Sequence, residues 1–472
     1  MLSSLATFNS IVFRIHTLPP DIPTNFTVSP SASYVTLSFT PPGYALQYTV
    51  TATPTTNTHE IVVTRTFTSG SGYKLEVLSA NTTYTISLVA SNMYGSSAAV
   101  TTSVTTLSAS VPVNPTLSYT TDYFPGPSST ATARGYYSFI AVPKTTPNIV
   151  YIYAFANPSQ LYYSTDGGST YVDIGGRLSL SAGNNVPGIG LACSDDGKVI
   201  YAQPQFGRTN VSTDYGLTFS YNAGTDTPNN GMTLFGTLCT NPTGEISIVA
   251  GNTLSSLGTN SGNIINWSAN FGNTYSYITG NSIVSDIAIN ASTNRVYYVN
   301  HPINATLYYY TASSKAELLA LDFANATFST VSFPVQIAKV FSVGNITMVL
   351  TNNGGVYLST NGTTFSQLND FSTGIPPTIY ANARSWVVIE PYVGFIMICG
   401  MDPNVAQPAS IIYYSINSGA SWTQYNHSEQ ITGASSATCV LQDTNVKVLV
   451  TSGRGTSGQG RLYTIYIPVT IT

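Results

Sequence analysis

Acidic, hydroxyl and glycine residues recur at fixed spacing beyond residue 160. The clearest set reads S-x-D-x-G-x-T-aromatic and consists of Ser164, Asp166, Gly168, Thr170 and Tyr171. Serine and aspartate side chains can cap backbone N–H groups of a hairpin turn, and glycine can take the positive φ that such a turn needs. The chemistry predicted for these residues is that of a turn, because acceptors stand where a turn requires them.

The same spacing returns in other parts of the chain. We expect a degenerate copy at Gly258, Asn260, Gly262 and Trp267, and two segments, 310–313 and 463–465, have lost the pattern. The remaining copies, of which the second is one residue short, are Ser212, Asp214, Gly216, Thr218 and Phe219; Ser359 and Asn361; and Ser415, Asn417, Gly419 and Trp422.

These sets belong to seven repeats that each open with an apolar strand, a short polar turn and a second apolar strand rich in Val, Ile and Tyr. A period of about fifty residues is typical of a radial array of small antiparallel sheets. A lone four-stranded sheet would leave its apolar faces exposed to water. Each repeat therefore needs a neighbour on both sides, which requires a closed ring. The pattern predicts a seven-bladed β-propeller. The repeats begin at Ser138, Gly190, Gly236, Ser285, Ala338, Ser385 and Ala437.

The repeated turn resembles the Asp-box, or BNR repeat, of sialidases, sortilin-type receptors and related propellers. The resemblance extends from about residue 115 to residue 472 and rests on five turns, one of them degenerate, at near-constant spacing. In the families that it resembles, these boxes lie away from the active centre. The resemblance therefore implies that the box residues determine the fold and take no part in catalysis.

The N-terminal part is a different module. Alternating strands with turn signals every eight to twelve residues predict a β-sandwich. The stretch from Leu78 to Gly95 resembles the penultimate strand of a fibronectin type III domain, which implies that Tyr84 forms the tyrosine corner. Phe39 stands where that family usually has a core tryptophan, and Ala80 where it usually has a proline.

The sequence thus predicts an all-β protein of four parts. Residues 1–19 form an extended arm, residues 20–107 the fibronectin type III-like domain, and residues 136–472 the propeller with Asp-box turns. Residues 108–135 are a Ser/Thr/Pro-rich linker, in which we expect a strand at 116–121 to complete the last blade. Closing the ring in this way would remove two exposed sheet edges.

Composition excludes several classes of function. Only 7% of the 472 residues are charged, against roughly 25% in ordinary soluble proteins, and the net charge is −4. Without a basic stripe, we expect no nucleic-acid binding. The 4 histidines and 4 cysteines have no ligand spacing, so we expect no metal and no cofactor. No apolar run is suited to membrane insertion, and residues 1–17 do not resemble a secretory signal.

Catalysis is the alternative that the resemblance raises. A glycoside hydrolase needs two acids in one cleft, and sialidases add three arginines that hold the substrate carboxylate. The candidate acids are Glu245, Glu317, Glu390 and Glu429, with the adjacent pair Asp195 and Asp196. We expect no catalytic residue, and the alternative is a secreted sialidase-like or other glycoside hydrolase. The arginines of this region are Arg134, Arg177, Arg208, Arg295, Arg384, Arg454 and Arg461.

The function that we expect is that of a non-enzymatic surface or structural protein, located on a virion surface or outside the cell. Tyr, Ser, Thr and Asn supply most of its polarity, and such surfaces bind protein or carbohydrate well. Its expected partners are other proteins of a particle or surface assembly, or glycans. Candidate ligand-binding loops contain Arg454 and Gln459, and Asp402 and Asn404. A scaffold domain inside a larger envelope assembly is a further alternative.

Overall fold

The structure of the protein is a computed structural model. The chain divides into two compact units, Met1–Ala109 with Ile471–Thr472, and Ser110–Thr470. Both units are built from β-strands, which confirms the prediction of an all-β protein. The residues described are 18–55, 62–68, 70–76, 78–112, 115–124, 138–154, 160–178, 188–204, 209–221, 232–254, 260–280, 283–301, 305–321, 325–352, 354–368, 385–401, 410–425, 434–442, 444–452 and 460–471.

The first unit contains two antiparallel sheets. One has the strand order β1-β2-β5, and the other has the order β4-β3-β6-β7 with β8 also paired to β6. The strands are β1 (Thr24–Pro30), β2 (Tyr34–Thr40), β3 (Gln47–Pro54), β4 (Val63–Phe67), β5 (Lys74–Glu76), β6 (Thr83–Asn92), β7 (Gly95–Ser96) and β8 (Val100–Thr105).

Buried and more exposed residues alternate along the strands of this unit, and the buried ones form its core. In β6, buried residues alternate with half-buried ones, so that one face meets the core and the other faces outward. The core combines Val35 and Leu37 from one sheet with Val50 and Ile86 from the other. Phe39 belongs to the same cluster, where its ring packs edge-on against Tyr48 at a centroid distance of 4.9 Å.

Tyr84 is buried in this core, and its hydroxyl oxygen accepts a hydrogen bond of 2.9 Å from the backbone N–H of Ser79. Ala80, beside it in the chain, is fully buried. The phenol thus ties the segment before β6 to the start of that strand. This bond gives the N–H of the half-buried Ser79 a partner within the protein.

The second unit contains, within the described residues, seven four-stranded antiparallel sheets. Two short strands, β9 (Ala109–Ser110) and β38 (Thr470–Ile471), lie at the boundary of the units, and β10 (Ser118–Phe124) opens the second unit. Sheet 1 comprises β11 (Ser138–Ala141), β12 (Val150–Ala154), β13 (Gln160–Ser164) and β14 (Val172–Asp173). Sheet 2 comprises β15 (Gly188–Cys193), β16 (Ile200–Pro204), β17 (Asn210–Ser212) and β18 (Ser220–Tyr221).

The next three sheets follow the same plan. Sheet 3 comprises β19 (Met232–Thr240), β20 (Ser247–Leu254), β21 (Asn260–Ser268) and β22 (Ser276–Gly280). Sheet 4 comprises β23 (Ile283–Asn290), β24 (Arg295–His301), β25 (Thr306–Thr311) and β26 (Ser329–Ser332). Sheet 5 comprises β27 (Ile337–Val343), β28 (Ile346–Thr351), β29 (Val356–Ser359) and β30 (Ser366–Gln367).

The last two sheets differ in the origin of their fourth strand. Sheet 6 comprises β31 (Trp386–Glu390), β32 (Phe395–Met401), β33 (Ser410–Ser415) and β34 (Thr423–Gln424). Sheet 7 comprises β35 (Ala434–Gln442), β36 (Asn445–Ser452) and β37 (Gly460–Pro468), and its fourth strand is β10. β10 pairs with β37 from Ser118 opposite Tyr466 to Phe124 opposite Gly460. The sheet therefore joins strands from the two ends of the unit.

The sheets stand side by side in a closed order. The first strand of each sheet contacts the first strand of the next, and β11 of sheet 1 contacts β35 of sheet 7. Apolar clusters fill the spaces between sheets; the cluster between sheets 1 and 7 contains Ile140, Ile152, Leu449 and Leu462. Because each sheet has a neighbour on both faces, second strands such as β12 and β28 are buried along their whole length.

Helical structure is sparse in the described residues. It consists of one short helix, α1 (Lys315–Leu319), and two 3-10 turns at Gly175–Arg177 and Ala291–Thr293. In the part of the chain that the structure describes, no helix is long and apolar enough to cross a membrane.

Candidate functional site

The hairpin between the third and fourth strands of sheet 1 holds Asp166 in a network of local hydrogen bonds. Its Oδ1 accepts from Ser164 Oγ and from the backbone N–H of Thr170, both at 2.8 Å, and its Oδ2 accepts from Thr170 Oγ1 at 2.6 Å. Ser164 Oγ accepts in turn from the N–H of Gly168 at 2.9 Å. The carboxylate therefore holds the turn closed.

The hairpin of sheet 2 repeats this geometry. Asp214 accepts from Ser212 Oγ at 2.7 Å and from the N–H and hydroxyl of Thr218 at 2.9 and 2.5 Å, and Ser212 Oγ accepts from the N–H of Gly216 at 2.8 Å. The aromatic residue that ends the set, Phe219, is buried. The equivalent Tyr171 of sheet 1 packs edge-on against Tyr162, at 6.3 Å between ring centroids.

In sheet 6 an amide replaces the carboxylate. Asn417 Oδ1 accepts from Ser415 Oγ and from the N–H of Ser421, both at 2.9 Å, while its amide nitrogen donates to Ser421 Oγ. Gly419 N–H donates to Ser415 Oγ, and the indole N–H of Trp422 donates to the carbonyl of Gly419 at 3.0 Å. An amide serves as well as a carboxylate because the neighbouring hydroxyl reverses its role from donor to acceptor.

The turn of sheet 3 does not lie where the sequence predicts it. Gly258 lies outside the described residues, whereas Asn260, Gly262 and Trp267 lie within strand β21 and form no turn. The turn follows that strand. Asn270 Oδ1 accepts from the N–H of Thr274 at 2.9 Å, and Ser268 Oγ accepts from the N–H of Gly272 at 2.9 Å. Residues 268–275 read SANFGNTY, so the pattern is present in the sequence eight to ten residues beyond the predicted place.

The other repeats depart from the pattern to different degrees. In sheet 5 the turn is one residue shorter, and Asn361 Oδ1 accepts from the N–H groups of Thr363 and Thr364. Sheet 4 has helix α1 in this place, where Glu317 Oε2 accepts from the N–H of Ser313 at 2.7 Å. Segment 463–465 of the last repeat lies within strand β37.

The glycine of each turn also meets the preceding sheet. Gly168 and Gly419 have φ values of 101° and 90°, and a Cβ atom at either position would overlap Leu462 of sheet 7 or Leu358 of sheet 5. The carbonyl of Gly216 accepts a hydrogen bond of 2.7 Å from Arg177, which follows sheet 1. The turns therefore join neighbouring sheets as well as their own strands.

These hydrogen bonds change the acidity of the turn carboxyl groups. Bonds from Thr170, first from its hydroxyl and then from its N–H, lower the pKa of Asp166 to about 2. The Thr218 hydroxyl likewise lowers the pKa of Asp214, and the Ser313 hydroxyl lowers the pKa of Glu317. All three groups are held as anions that accept hydrogen bonds. A general acid in a glycosidase needs the opposite shift.

The other acids considered for catalysis have structural partners. Asp195 forms an ion pair of 3.0 Å with Lys144, and Asp196 accepts from Ser194 Oγ at 2.6 Å. Glu245 pairs with Lys315 at 3.0 Å. Glu390 is buried at the end of β31, where it accepts a hydrogen bond from the N–H of Tyr392 at 3.3 Å.

A second polar site lies where the first strands of the seven sheets meet. All seven contribute to the lining of a cavity of about 340 Å³. In sheets 2, 4, 5 and 7 the pairing register of the first strand shifts by one residue near its start. The residue directly after each shift lines the cavity, as does the first residue of β31 in sheet 6. We call these five residues the channel ring: Gly190, Asp286, Lys339, Trp386 and Ser436.

Asp286 and Lys339 are the charged residues among the described residues that line the cavity. Asp286 Oδ2 accepts a hydrogen bond of 2.8 Å from the backbone N–H of Val340, and its Oδ1 lies 3.9 Å from Lys339 Nζ. The two side chains are 5% and 23% exposed. They neutralise one another across the boundary between sheets 4 and 5, so the lining has no net charge.

Trp386 is the next member of the channel ring. It is 3% exposed, and its indole N–H has no hydrogen-bond partner among the described residues. A buried donor without an acceptor costs about 1–3 kcal/mol relative to a satisfied one. Sequence analysis named neither this residue nor Asp286 or Lys339, because the three lie on different sheets and follow no common motif.

The four cysteines are free thiols. Cys193, Cys239 and Cys439 lie on first strands and Cys399 on the second strand β32. Burial raises the pKa of Cys193, Cys239 and Cys439 far above the usual value. These thiols stay protonated at neutral pH and pack as small apolar groups.

Several residues named from the sequence lie outside the described residues. They include the candidate ligand-binding residues Asp402, Asn404, Arg454 and Gln459, and the candidate acid Glu429. Among the described residues, no group of three or more His, Cys, Asp or Glu side chains is placed to hold a metal ion.

Comparison with known proteins gives matches of shape alone. No protein-family profile and no curated protein sequence matches this chain. Among solved structures, YCF48 bound to D1 peptide is similar at 9% identity and a TM-score of 0.47, over 76% of this chain and 97% of that one. A chain of the mitotic checkpoint complex is similar at 10% identity and a TM-score of 0.45, over 75% and 92%. PorZ, a surface component of the type-IX secretion system of Porphyromonas gingivalis, is similar at 14% identity and a TM-score of 0.41, over 69% and 39%. These structures have β-propeller folds.

Proposed function

We propose that this protein is a non-enzymatic binding protein of a virion or other particle surface, in which a fibronectin type III-like domain carries a seven-bladed β-propeller with Asp-box turns. The closed order of seven four-stranded sheets, with one sheet built from both ends of the unit, supports the propeller. The strand order of the first unit and the buried phenol of Tyr84 support the fibronectin type III assignment.

The observation that carries the proposal is the hydrogen bonding of the recurring acids. Asp166 and Asp214 each accept three hydrogen bonds from their own turns, and Glu317, in the helix at the equivalent place, accepts from the N–H of Ser313. Their lowered pKa values suit hydrogen-bond acceptors, whereas a glycosidase acid must carry a proton near neutral pH. The repeated motif therefore serves the fold and leaves the surface free for binding.

Weak charge and abundant Tyr, Ser, Thr and Asn support protein or glycan as the partner. Such side chains hydrogen-bond and stack without the desolvation cost of ionic groups. A particle surface is consistent with this composition, and residues 1–17, which precede the first described residue, would serve as the segment that attaches the protein to its assembly. Deleting residues 1–17 should abolish incorporation into the particle while leaving the thermal stability of the remaining chain unchanged.

The function is tested with the intact chain in three parallel measurements. We expect binding on a glycan array or to isolated particle proteins, labelling of the particle surface by antibodies, and no turnover of sialosides or xyloglucan. Hydrolysis that disappears in Glu245→Gln but persists in the turn variant Asp214→Asn would overturn the proposal in favour of a glycosidase. Glycan binding without particle labelling would reject the particle location and leave a free lectin.

A further inference from the structure

We propose that an exposed apolar patch on the first unit is the contact through which two copies of this chain form a dimer. The patch belongs to three segments: the chain before β1, the loop between β2 and β3, and the hairpin between β6 and β7. We call it the end patch and define it by its large apolar residues, which are Leu18, Tyr44, Leu46, Met93 and Tyr94. The inference goes beyond the binding function proposed above and does not depend on it.

Asn92 holds the three segments together. Its side-chain N–H groups donate to the carbonyl oxygens of Leu18 at 2.9 Å and of Tyr44 at 3.3 Å, and its Oδ1 accepts from the N–H of Tyr94 at 2.8 Å. The N–H of Leu46 donates to the carbonyl of the residue before Asn92, also at 2.9 Å. The apolar side chains therefore project from backbone that is already fixed, so little further ordering is needed when a partner binds.

The end patch is large enough for a dimer interface. Its residues are 60%, 53%, 64%, 79% and 45% exposed in the order given above, which amounts to about three fully exposed side chains. Large side chains bury roughly 150–250 Å² each, so one copy presents about 450–750 Å². Two copies in contact would bury about 900–1,500 Å², whereas a specific protein interface needs roughly 1,000 Å² or more. The area of the patch therefore matches that of a small dimer interface.

The distribution of charge permits contact between identical copies. The charged residues in the described part of the first unit are Asp21, Arg65, Lys74 and Glu76, and none of them belongs to the end patch. Lys74 and Glu76 pair with the first half of β2, whereas the patch includes the loop that follows the end of this strand. The patch itself thus brings no like charges together when two copies meet through it.

The side chains of the end patch favour a second copy over a lipid surface. A surface of Leu, Met and Tyr side chains is stabilised by contact with another apolar surface, and a second copy supplies one of equal size. A segment that binds membranes ordinarily combines apolar residues with Lys or Arg for the lipid headgroups, and the end patch contains neither. Tyrosine and methionine are enriched in protein interfaces. The patch therefore suits a symmetric contact, in which each side chain is used twice.

The test measures the mass of the intact chain by analytical ultracentrifugation over a series of concentrations. We expect a reversible equilibrium between monomer and dimer. Leu46→Ser with Met93→Ser should raise the dissociation constant of the dimer at least about 100-fold, because four apolar side chains are lost from the interface. Both side chains are exposed in the single chain, so the monomeric variant should keep the melting temperature of the wild-type monomer.

Val172→Ser with Leu217→Ser is the matched control. These side chains are 60% and 66% exposed, but they lie in the second unit. Their replacement should leave the dissociation constant of the dimer unchanged. Met93→Leu keeps an apolar side chain of similar volume in the end patch and should also retain the dimer.

The outcomes separate this inference from the proposed function. A monomer at every concentration, or a dimer that Leu46→Ser with Met93→Ser does not weaken, would overturn the dimer contact at the end patch. Binding to phosphatidylcholine vesicles that this double variant abolishes, in the absence of a dimer, would assign the patch to a lipid surface instead. A monomeric chain that still labels the particle surface or binds glycans would retain the proposed function while the present inference fails.

Discussion

The hairpin turns and the channel ring both place polar side chains in a weakly charged protein, but they satisfy those side chains differently. In the turn of sheet 1, Asp166, Ser164 and Thr170 exchange their hydrogen bonds within seven residues of chain. In the channel ring, Asp286 and Lys339 lie 53 positions apart in the sequence and meet at 3.9 Å across two sheets. The turns are complete in themselves, whereas the ring keeps a buried donor on Trp386 without a partner among the described residues.

This difference concerns where the partners of each polar side chain come from. A turn whose acceptors are all engaged offers little to a ligand, since any new bond must displace an internal one. In the channel ring the two charged partners come from separate sheets, so their contact depends on how those sheets pack together. The same residue types thus stabilise a local turn at one place and the contact between two sheets at the other.

The largest effect should come from the glycine of a turn. Gly168→Ala requires an alanine at a φ of 101°, with its Cβ 2.8 Å from the Tyr171 hydroxyl and overlapping Leu462. Backbone strain and overpacking together should destabilise the second unit by about 3 kcal/mol. Denaturant unfolding checks this value.

Gly176→Ala is the control for that variant. Gly176 lies in the 3-10 turn after sheet 1, and a Cβ there would meet no atom within 4 Å. Its effect should stay within about 0.5 kcal/mol. Equal effects of the two substitutions would show that the turn glycine has no special role in joining sheets 1 and 7.

The next effect should come from the channel ring. Lys339→Met leaves the Asp286 carboxylate with the Val340 N–H and no opposing charge. Removing one partner of a fully buried pair costs 3–5 kcal/mol, and because Lys339 is 23% exposed we expect about 2 kcal/mol. Lys315→Met, which breaks the more exposed pair with Glu245, should cost less than about 1 kcal/mol. If Lys339→Met loses no more stability than Lys315→Met, the Asp286–Lys339 pair is as accessible to water as the Lys315–Glu245 pair.

A similar loss should follow from removing the buried hydroxyl of a turn. Ser164 is 2% exposed, and Ser164→Ala deprives the N–H of Gly168 of its acceptor, which should cost about 1–2 kcal/mol. Ser169→Ala removes an exposed hydroxyl of the same turn and should change little. Unfolding curves of the two variants measured together test whether the turn depends on its buried bond.

The comparison also explains what could be predicted from the sequence. Four turns could be located from residue spacing alone, because their partners lie within eight residues of one another. The turn of sheet 3 follows the same local pattern, although it lies beyond the segment 258–267 where it was expected, and its Phe271 has a φ of 59°, close to the 62° of Tyr215 in the turn of sheet 2. Its serine, asparagine, glycine and threonine still have the common spacing at residues 268–274.

The channel ring could not be predicted in this way. Asp286, Lys339 and Trp386 become neighbours only through the order of the sheets and through one-residue register shifts, which no local pattern signals. The strand that completes sheet 7 was expected at 116–121 and lies at Ser118–Phe124. Its boundaries depend on pairing with β37, which is more than three hundred residues away.

The smallest effect concerns acid stability and uses the natural exchange of aspartate and asparagine among the turns. Hydrogen bonds lower the pKa of Asp166 from its usual 3.8 to about 2, and they also lower that of Asp214. A carboxyl group whose pKa is lower in the folded state contributes stability above its unfolded pKa, and this contribution is lost as the pH falls through the folded pKa. The wild type should therefore lose part of its stability between about pH 4 and pH 2.

The double variant Asp166→Asn with Asp214→Asn should lose less stability over the same range, because Asn270 and Asn417 make the same backbone bonds without titrating. The reverse pair, Asn270→Asp with Asn417→Asp, should lose more. Melting temperatures of the three proteins across this range should therefore diverge as the pH falls; parallel curves would mean that the turn carboxylates keep their ordinary acidity and that the hydrogen bonds do not favour the anion.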